Sequence, residues 1–117
     1  MTTILVVDDD SSMRFFLKIL FESAGYQVVE AQHGAAALER LEETRPALVV
    51  TDLMMPVMDG IQLIERLRSN PETQSIPILA TTARLGADAE PADAVLTKPF
   101  DPDRFLEIAR RLAERDS

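Results

Sequence analysis

Carboxylate, hydroxyl and ammonium side chains follow the short apolar stretches of this 117-residue chain in a regular way. They are Asp8, Asp9 and Asp10 after the first stretch, Asp52 after the third, Thr82 at the end of the fourth and Lys98 after the fifth. Ionised carboxylates are costly to bury. Acids in these positions must therefore reach solvent, a cation or a binding partner.

Carboxylates that converge within a few Å repel one another and lose hydration. A hard divalent cation such as Mg²⁺ relieves both problems, because it prefers oxygen ligands and is often held by one or two carboxylates plus a phosphate. Lys98 would supply a point charge suited to phosphate, and Thr82 a hydroxyl donor. We interpret this set as a site where Asp52 accepts a phosphoryl group. Taken alone, Asp52 is equally typical of a residue that begins a turn or caps a helix.

Five strands and intervening helices would position these side chains. The strands are predicted at residues 3–7, 27–31, 47–51, 76–82 and 94–97, and the last helix begins at Pro102 after Asp101 as its N-cap. The stretch 47–51 is apolar on both faces, which is typical of the centre of a parallel sheet. Strand–helix alternation predicts a parallel α/β sheet covered on both faces. If the first and third strands are neighbours, Asp8, Asp9 and Asp52 converge at one edge.

Some polar residues near this edge have ordinary structural explanations. Either Asp10 or one of the serines after it can cap the next helix. Capping needs only one acid, so the cluster of three acids after the first strand is larger than a helix cap requires. Asp59 is predicted as an N-cap. His33, the only histidine, is predicted as a turn residue before the second helix. A catalytic or metal-ligand role finds no support, because no other His or Cys is available to join it.

Composition limits the class of protein. The length fits one domain, residues 1–117. The absence of cysteine excludes disulfides and thiolate metal sites. Without a membrane-spanning run or a signal-peptide pattern, we expect a cytoplasmic protein with no membrane contact. The net charge of −8 argues against direct nucleic-acid binding, which needs a basic surface.

The combined motifs resemble the receiver domain of two-component response regulators. They are Val6-Val7-Asp8-Asp9-Asp10-Ser11-Ser12-Met13-Arg14, then Asp52-Leu53-Met54-Met55-Pro56-Val57-Met58-Asp59-Gly60, then Thr82-Ala83, and finally Lys98-Pro99-Phe100. The resemblance covers essentially the whole chain. It implies a doubly wound five-stranded parallel sheet of order 2-1-3-4-5, a flavodoxin-like or CheY-like α/β fold.

The resemblance also implies a role for each site residue. Asp52 would be the phosphoacceptor. Mg²⁺ would be bound directly by Asp9, mainly through water by Asp8, and by Asp52 and the backbone carbonyl of Met54. Thr82 and Lys98 would bind the phosphoryl oxygens. Thr81 is the near alternative to Thr82, which is preferred because Ala83 follows it.

The partners implied are a histidine kinase or histidine phosphotransfer protein as donor, and a downstream protein target that the sequence does not identify. Such a domain assists its own phosphotransfer and dephosphorylation and is not otherwise an enzyme. Phosphorylation would change the charge at the site and switch partner binding.

Two features depart from the family pattern. Thr82 and Lys98 are only 16 positions apart, so we expect the fourth helix to be shortened or missing. Val95 stands where the family usually has an aromatic switch residue. We therefore expect signalling to depend on ordering of the loop at residues 83–94.

Two other functions compete. Asp8-Asp9-Asp10-Ser11 fits the Asp-x-Asp motif of haloacid-dehalogenase-type phosphatases, in which Asp8 would be the nucleophile, but this leaves Asp52 without a role. A degenerate receiver that binds partners without being phosphorylated is the other alternative. The complete set of acids, threonine and lysine argues against it.

Overall fold

The five predicted strands form one parallel sheet in the order β2-β1-β3-β4-β5. The computed structural model describes residues 2–55, 57–83 and 92–115. Its strands are β1 (Thr3–Val7), β2 (Gln27–Ala31), β3 (Leu48–Asp52), β4 (Ile78–Thr82) and β5 (Ala94–Thr97). Its helices are α1 (Ser11–Ser23), α2 (Gly34–Glu43), α3 (Gly60–Ser69) and α4 (Pro102–Arg115). The predicted doubly wound α/β fold and its strand order are confirmed.

Alternate residues of the central strands pack into two separate apolar layers, as the twofold repeat of a strand requires. One layer joins Leu5, Val49 and Ile78 to side chains from α2 and α3. The other joins Val6, Val50 and Leu79 to side chains from α1 and α4. Both faces of the sheet are therefore covered by helices. Because all five strands are parallel, their carboxyl ends lie at the same edge of the sheet.

The boundaries of two strands differ from the prediction. β3 begins at Leu48 and includes Asp52, so the acid ends the strand instead of following it. β4 begins at Ile78, two residues later than predicted. Pro77 has no amide hydrogen to donate to the ladder, although its carbonyl accepts a hydrogen bond from Val49 N–H at 3.0 Å.

The helices bury narrower stripes than their apolar residues indicate. α1 buries Leu17 and Phe21 but leaves Phe16 41% exposed, and α3 leaves Ile61 41% exposed. On α2 the fully buried side chain is Ala37, beside Leu38 and Leu41, which are only partly buried. A helix that covers one face of a sheet has room for a limited arc of side chains, so spacing overestimates the buried set.

The predicted shortening or loss of a helix between β4 and β5 concerns residues 83–94. Of these, residues 84–91 lie outside the described residues. The chain is described again from Ala92, and the Asp93 amide donates to the Ile78 carbonyl at 2.9 Å as β5 begins. Val95 lies on β5 and is 36% exposed.

Candidate functional site

The predicted site residues lie at the carboxyl edge of the sheet, on neighbouring strands. Asp8 and Asp9 directly follow β1, Asp52 ends β3, and Lys98 directly follows β5. β1 pairs with β3, and β3 pairs with β4, so the acids of β1 and β3 share one end of the sheet. In open α/β sheets this edge, at the point where the strand order reverses, is where ligands bind.

Among the described carboxylates of this edge, Asp8 is the most buried, at 1% exposure. Its Oδ1 accepts a hydrogen bond from the Asp10 amide at 2.9 Å. Burial raises the pKa of the Asp8 carboxyl above its ordinary value, since it favours the neutral form; the Asp10 amide and the Lys98 ammonium oppose this rise, and the Asp52 charge adds to it. A cation at this position would remove the cost of keeping Asp8 ionised.

The Lys98 ammonium bridges the first and third strands. Its Nζ lies 3.4 Å from Asp8 Oδ2 and 3.3 Å from Asp52 Oδ2, and its side chain is 20% exposed. Lys98 precedes Pro99 through a cis peptide bond. Because both distances are short, the lysine can neutralise two carboxylates at once, and a phosphoryl group on Asp52 would lie within its reach.

Asp52 is 7% exposed at the end of β3, and each of its two carboxylate oxygens has a partner among the neighbouring residues. Oδ1 accepts a hydrogen bond from the Met54 amide at 3.3 Å, while Oδ2 faces Lys98. Met54 itself is 63% exposed and lies on the loop after β3. The sequence predicted Met54 as a metal ligand through its carbonyl, and that role stays a prediction.

Three acids converge at this edge, as the sequence predicted. One carboxylate oxygen each from Asp8, Asp9 and Asp52 can be chosen so that the three lie within 4.8 Å of one another. Asp8 and Asp52 are buried, whereas Asp9 is exposed. Oxygen ligands on one open edge suit a hard cation that keeps part of its water shell, which is the preference of Mg²⁺.

The structure separates the acids that form the site from those that cap helices. Asp10 is the N-cap of α1, where its side chain accepts from the Ser12 and Met13 amides. Asp59 caps α3 in a reciprocal capping box with Gln62. His33 does precede α2, and there its Nδ1 accepts the Ala36 amide at 3.1 Å as the N-cap.

The two threonines at the end of β4 are both buried, Thr81 at 2% and Thr82 at 1% exposure. The register pairs Thr81 with Asp52, and Thr82 with Thr97 on β5. The Thr82 carbonyl also accepts the Lys98 amide. Thr82 is therefore linked to the lysine through the backbone, and its choice over Thr81 as a phosphoryl ligand stays a prediction.

Arg14 holds the loop that carries the first-strand acids, a role that the sequence analysis did not assign. Its guanidinium donates to the Asp8 carbonyl at 2.7 Å and lies 3.4 Å from the Glu30 carboxylate on β2. The sequence offered only its place one turn into α1. Charge alone could not show that it turns back towards the end of β1.

Gly60 allows α3 to begin against the end of β3. A Cβ built at this position would lie 2.7 Å from Leu53 Cα and would also contact the Asp52 carbonyl oxygen. Backbone atoms cannot yield as a flexible side chain can. The loop that follows the candidate phosphoacceptor therefore requires glycine at this point.

Comparison with known proteins agrees with this geometry. Residues 4–110 match the family model described as the response regulator receiver domain. The chain is 36% identical to response regulator Rre1 of Synechocystis sp. in an alignment that covers 97% of this chain and 52% of Rre1. It therefore spans about half the length of that relative.

Solved structures show the same likeness. Chemotaxis protein CheY4 of Vibrio cholerae has a TM-score of 0.89 at 30% identity, over 96% of this chain and 98% of that one. TrrA of Thermotoga maritima, solved in complex with Mg²⁺ and BeF, has a TM-score of 0.86 at 28% identity, over 96% of this chain and 99% of that one. Among the helices described here, none is long and apolar enough to cross a membrane.

Proposed function

The chain belongs to the response regulator receiver domain family, and from this we propose that it accepts a phosphoryl group on Asp52 in a Mg²⁺-dependent reaction. The observation that carries the proposal is the placement of Lys98 Nζ 3.3 Å from Asp52 and 3.4 Å from Asp8. A carboxylate nucleophile beside an ammonium and two further acids suits phosphoryl transfer. Catalysis of that reaction rests mostly on positioning and charge neutralisation.

In the proposed reaction, one carboxylate oxygen of Asp52 attacks the phosphorus of a phosphohistidine. The new P–O bond forms as the P–N bond breaks, and the released histidine nitrogen takes up a proton. Lys98 neutralises charge on the phosphoryl oxygens, as a point charge next to them. The protein is in this sense a phosphoacceptor that assists its own phosphotransfer and dephosphorylation, and not an enzyme acting on a separate substrate.

The acids at this edge fit Mg²⁺, because one carboxylate oxygen each from Asp8, Asp9 and Asp52 lie within 4.8 Å of one another and are hard oxygen ligands. We propose that Asp9, Asp52 and the Met54 carbonyl bind the ion directly and that Asp8 binds it mainly through water. When bound, Mg²⁺ supplies positive charge that offsets the acids and the transferring phosphoryl group. Arg14 keeps the Asp8 loop in place for this through the Asp8 carbonyl.

The partners and extent of the protein are also proposed. The donor would be a histidine kinase or histidine phosphotransfer protein, and the phosphorylated form would bind a downstream protein. Response regulator Rre1 is about twice as long as this chain, so the other activities of that protein are not transferred to it. Residues 1–117 are proposed as one receiver domain, without direct nucleic-acid binding. A cytoplasmic location stays a prediction of the sequence.

Intact-mass spectrometry after incubation with acetyl phosphate and Mg²⁺ tests the proposal. We expect one added phosphoryl group on the parent protein and none on Asp52→Asn. Asp59→Asn is the matched control, because this acid lies in the same loop but caps α3, and it should still be phosphorylated. Comparison of Thr82→Ala with Thr81→Ala distinguishes the two hydroxyls. Only the variant that removes the hydroxyl bound to the phosphoryl group should slow the reaction strongly, and we expect this to be Thr82→Ala.

Two other outcomes would contradict the assignment. An adduct that persists in Asp52→Asn would move the nucleophile to the first strand and favour the phosphatase alternative. If neither protein gains mass, a beryllofluoride titration decides: binding would indicate an acyl phosphate too short-lived to detect, and no binding would favour a degenerate receiver.

A further inference from the structure

β5 is the strand that delivers Lys98 to the site, and it is short and lies at the edge of the sheet. It has four residues, Ala94–Thr97, and pairs with β4 alone. None of its side chains is fully buried. Burial therefore holds β5 less firmly than the central strands, whose residues are almost entirely buried.

Hydrogen bonds hold both ends of β5 against β4. At its beginning, the Asp93 amide donates to the Ile78 carbonyl at 2.9 Å, and the Ile78 amide donates back to Asp93 Oδ2 at 2.7 Å. At its end, the Lys98 amide donates to the Thr82 carbonyl at 2.6 Å. The side chain of Asp93 thus adds a bond that the backbone of an edge strand would not supply.

Two arginines from different helices fix the Asp93 carboxylate. Arg68 on α3 donates to Oδ2 at 2.8 Å, and Arg115 on α4 lies 3.5 Å from Oδ1. Arg68 also donates to the carbonyls of Gln74 and Ile76, so its guanidinium is held on several sides. The Arg68 and Asp93 side chains are each only 20% exposed, which strengthens a charge-assisted pair relative to one in open solvent.

We propose that Asp93 is a positioning residue that sets the register of β5 on β4 and thereby holds Lys98 beside Asp52. A slip of one residue would turn each side chain of β5 to the other face of the sheet, and a slip of two would move Lys98 by about 7 Å. Either shift would break contacts of 3.3 and 3.4 Å. The inference rests on the proposed function, because it assigns Lys98 a role in phosphorylation of Asp52.

A double-mutant cycle on phosphorylation rate tests this role. With acetyl phosphate and saturating Mg²⁺, we expect Asp93→Ala to lower the rate about tenfold, since small misplacements of a catalytic group are costly. In a Lys98→Ala background the same change should lower the rate by less than about twofold, because the group being positioned is absent. An equal loss in both backgrounds would overturn the proposal and leave Asp93 a general structural role.

Two further variants calibrate the cycle. Asp93→Asn keeps an oxygen for the Ile78 amide but loses the charge that pairs with Arg68. Its phosphorylation rate should therefore lie between the rates of the parent and Asp93→Ala. Glu107→Gln removes an acid from an ion pair with Arg111 that is mostly exposed, and it should leave the rate unchanged. Loss of rate in Glu107→Gln would mean that general charge, and not register, controls the reaction.

Amide hydrogen exchange gives a second readout that does not require phosphorylation. In Asp93→Ala we expect faster exchange of the Lys98 amide, with no change at Leu5 and Val29, which pair β1 with β2 far from β5. Unchanged exchange at Lys98 would overturn the proposal. If the parent neither takes up a phosphoryl group nor binds beryllofluoride, the proposed function fails, and this exchange still decides whether Asp93 fixes the register.

Discussion

The Asp8 carboxylate is contacted by groups from separate parts of the chain. The Asp10 amide comes from the same loop, while Lys98 comes from the other end of the sequence. Burial is nevertheless the largest influence on its pKa, and it acts against the charged form. Asp8 is therefore a residue whose ionisation costs stability until a cation compensates for it.

This cost should appear as a pH dependence of stability in the metal-free protein. The pKa of Asp8 is raised above 3.8 in the folded state, so between 3.8 and the raised value the folded state binds more protons than the unfolded chain. The contribution of Asp8 is then favourable at low pH and is lost as pH rises through the folded pKa.

We expect the free energy of unfolding of the parent, minus that of Asp8→Asn, to fall with rising pH across this window. Urea unfolding at a series of pH values without Mg²⁺ measures the difference. The Asp8→Asn variant serves as the reference, because other acids titrate in both proteins. A difference that increased with pH would show that Lys98 and the Asp10 amide outweigh burial.

The sequence predicted which polar residues meet at the carboxyl edge of the sheet better than it predicted the residues around them. Asp8, Asp9, Asp52 and Lys98 could be found because polar residues at strand ends stand out against apolar runs. The sequence did not decide which residue caps α1, since Asp10 and the serines after it fit the role of an N-cap equally by type. Arg14 and Asp93 were missed because their contacts join distant positions; Asp93 pairs with Arg68, which is 25 residues away.

The loop between β3 and α3 directly follows Asp52, and its Met54 amide donates to the Asp52 carboxylate. Gly60 lies against the backbone at the end of β3, and Asp59 begins α3 with its capping box. Gly25, after α1, differs because its φ of +94° requires glycine while nothing lies within 4 Å of a Cβ there. Gly60 is therefore needed for the close packing of α3 against the end of β3, whereas Gly25 is needed for the backbone conformation of a turn.

Alanine substitutions at these glycines should separate the two requirements. Gly60→Ala should lower the free energy of unfolding by about 1–3 kcal/mol through overpacking, and it should also slow phosphorylation because the loop after Asp52 must move. Gly25→Ala should cost about 1 kcal/mol through its left-handed backbone and leave phosphorylation unchanged. Urea unfolding and the mass assay measure the two effects. Equal phosphorylation by both variants would contradict the role of Gly60.

The elements themselves were largely predictable, and their ends less so. β1, β2 and β5 have the predicted bounds, because short runs with β-branched residues that are bounded by polar residues mark a strand clearly, whether it is central or at the edge of the sheet. β4 begins late because Pro77 cannot donate to the ladder. Phe16 and Ile61 carry the right spacing for a buried stripe but lie at its margin, which depends on how each helix is rotated against the sheet.

Across the whole molecule, the acidic edge is one part of a chain whose net charge is −8. Among the described residues, three carboxylates and one lysine meet at this edge, and their charges sum to a negative value. A divalent cation that binds only the folded protein should therefore stabilise the entire fold by mass action.

Mg²⁺ at ten times its Kd should raise the free energy of unfolding of the parent by about 1.4 kcal/mol. We expect Asp9→Asn to lose most of this increase, because it removes the exposed member of the acid cluster. Asp103→Asn, an exposed acid in the first turn of α4, is the matched control and should keep it. Urea unfolding with and without Mg²⁺ measures the effect, and an equal increase in Asp9→Asn would place the ion elsewhere.

The ion pair between Lys98 and Asp8 spans 90 residues of sequence, and this has a consequence for the order of assembly. A growing chain exposes the acids of β1 and β3 long before the lysine is synthesised. Contacts of such long sequence separation form late, since the intervening chain must be ordered first. Until β5 docks, the nucleophile has no ammonium beside it. We expect phosphorylation to be suppressed in chains whose β5 has not docked, so that only chains that extend through Lys98 and have folded accept a phosphoryl group.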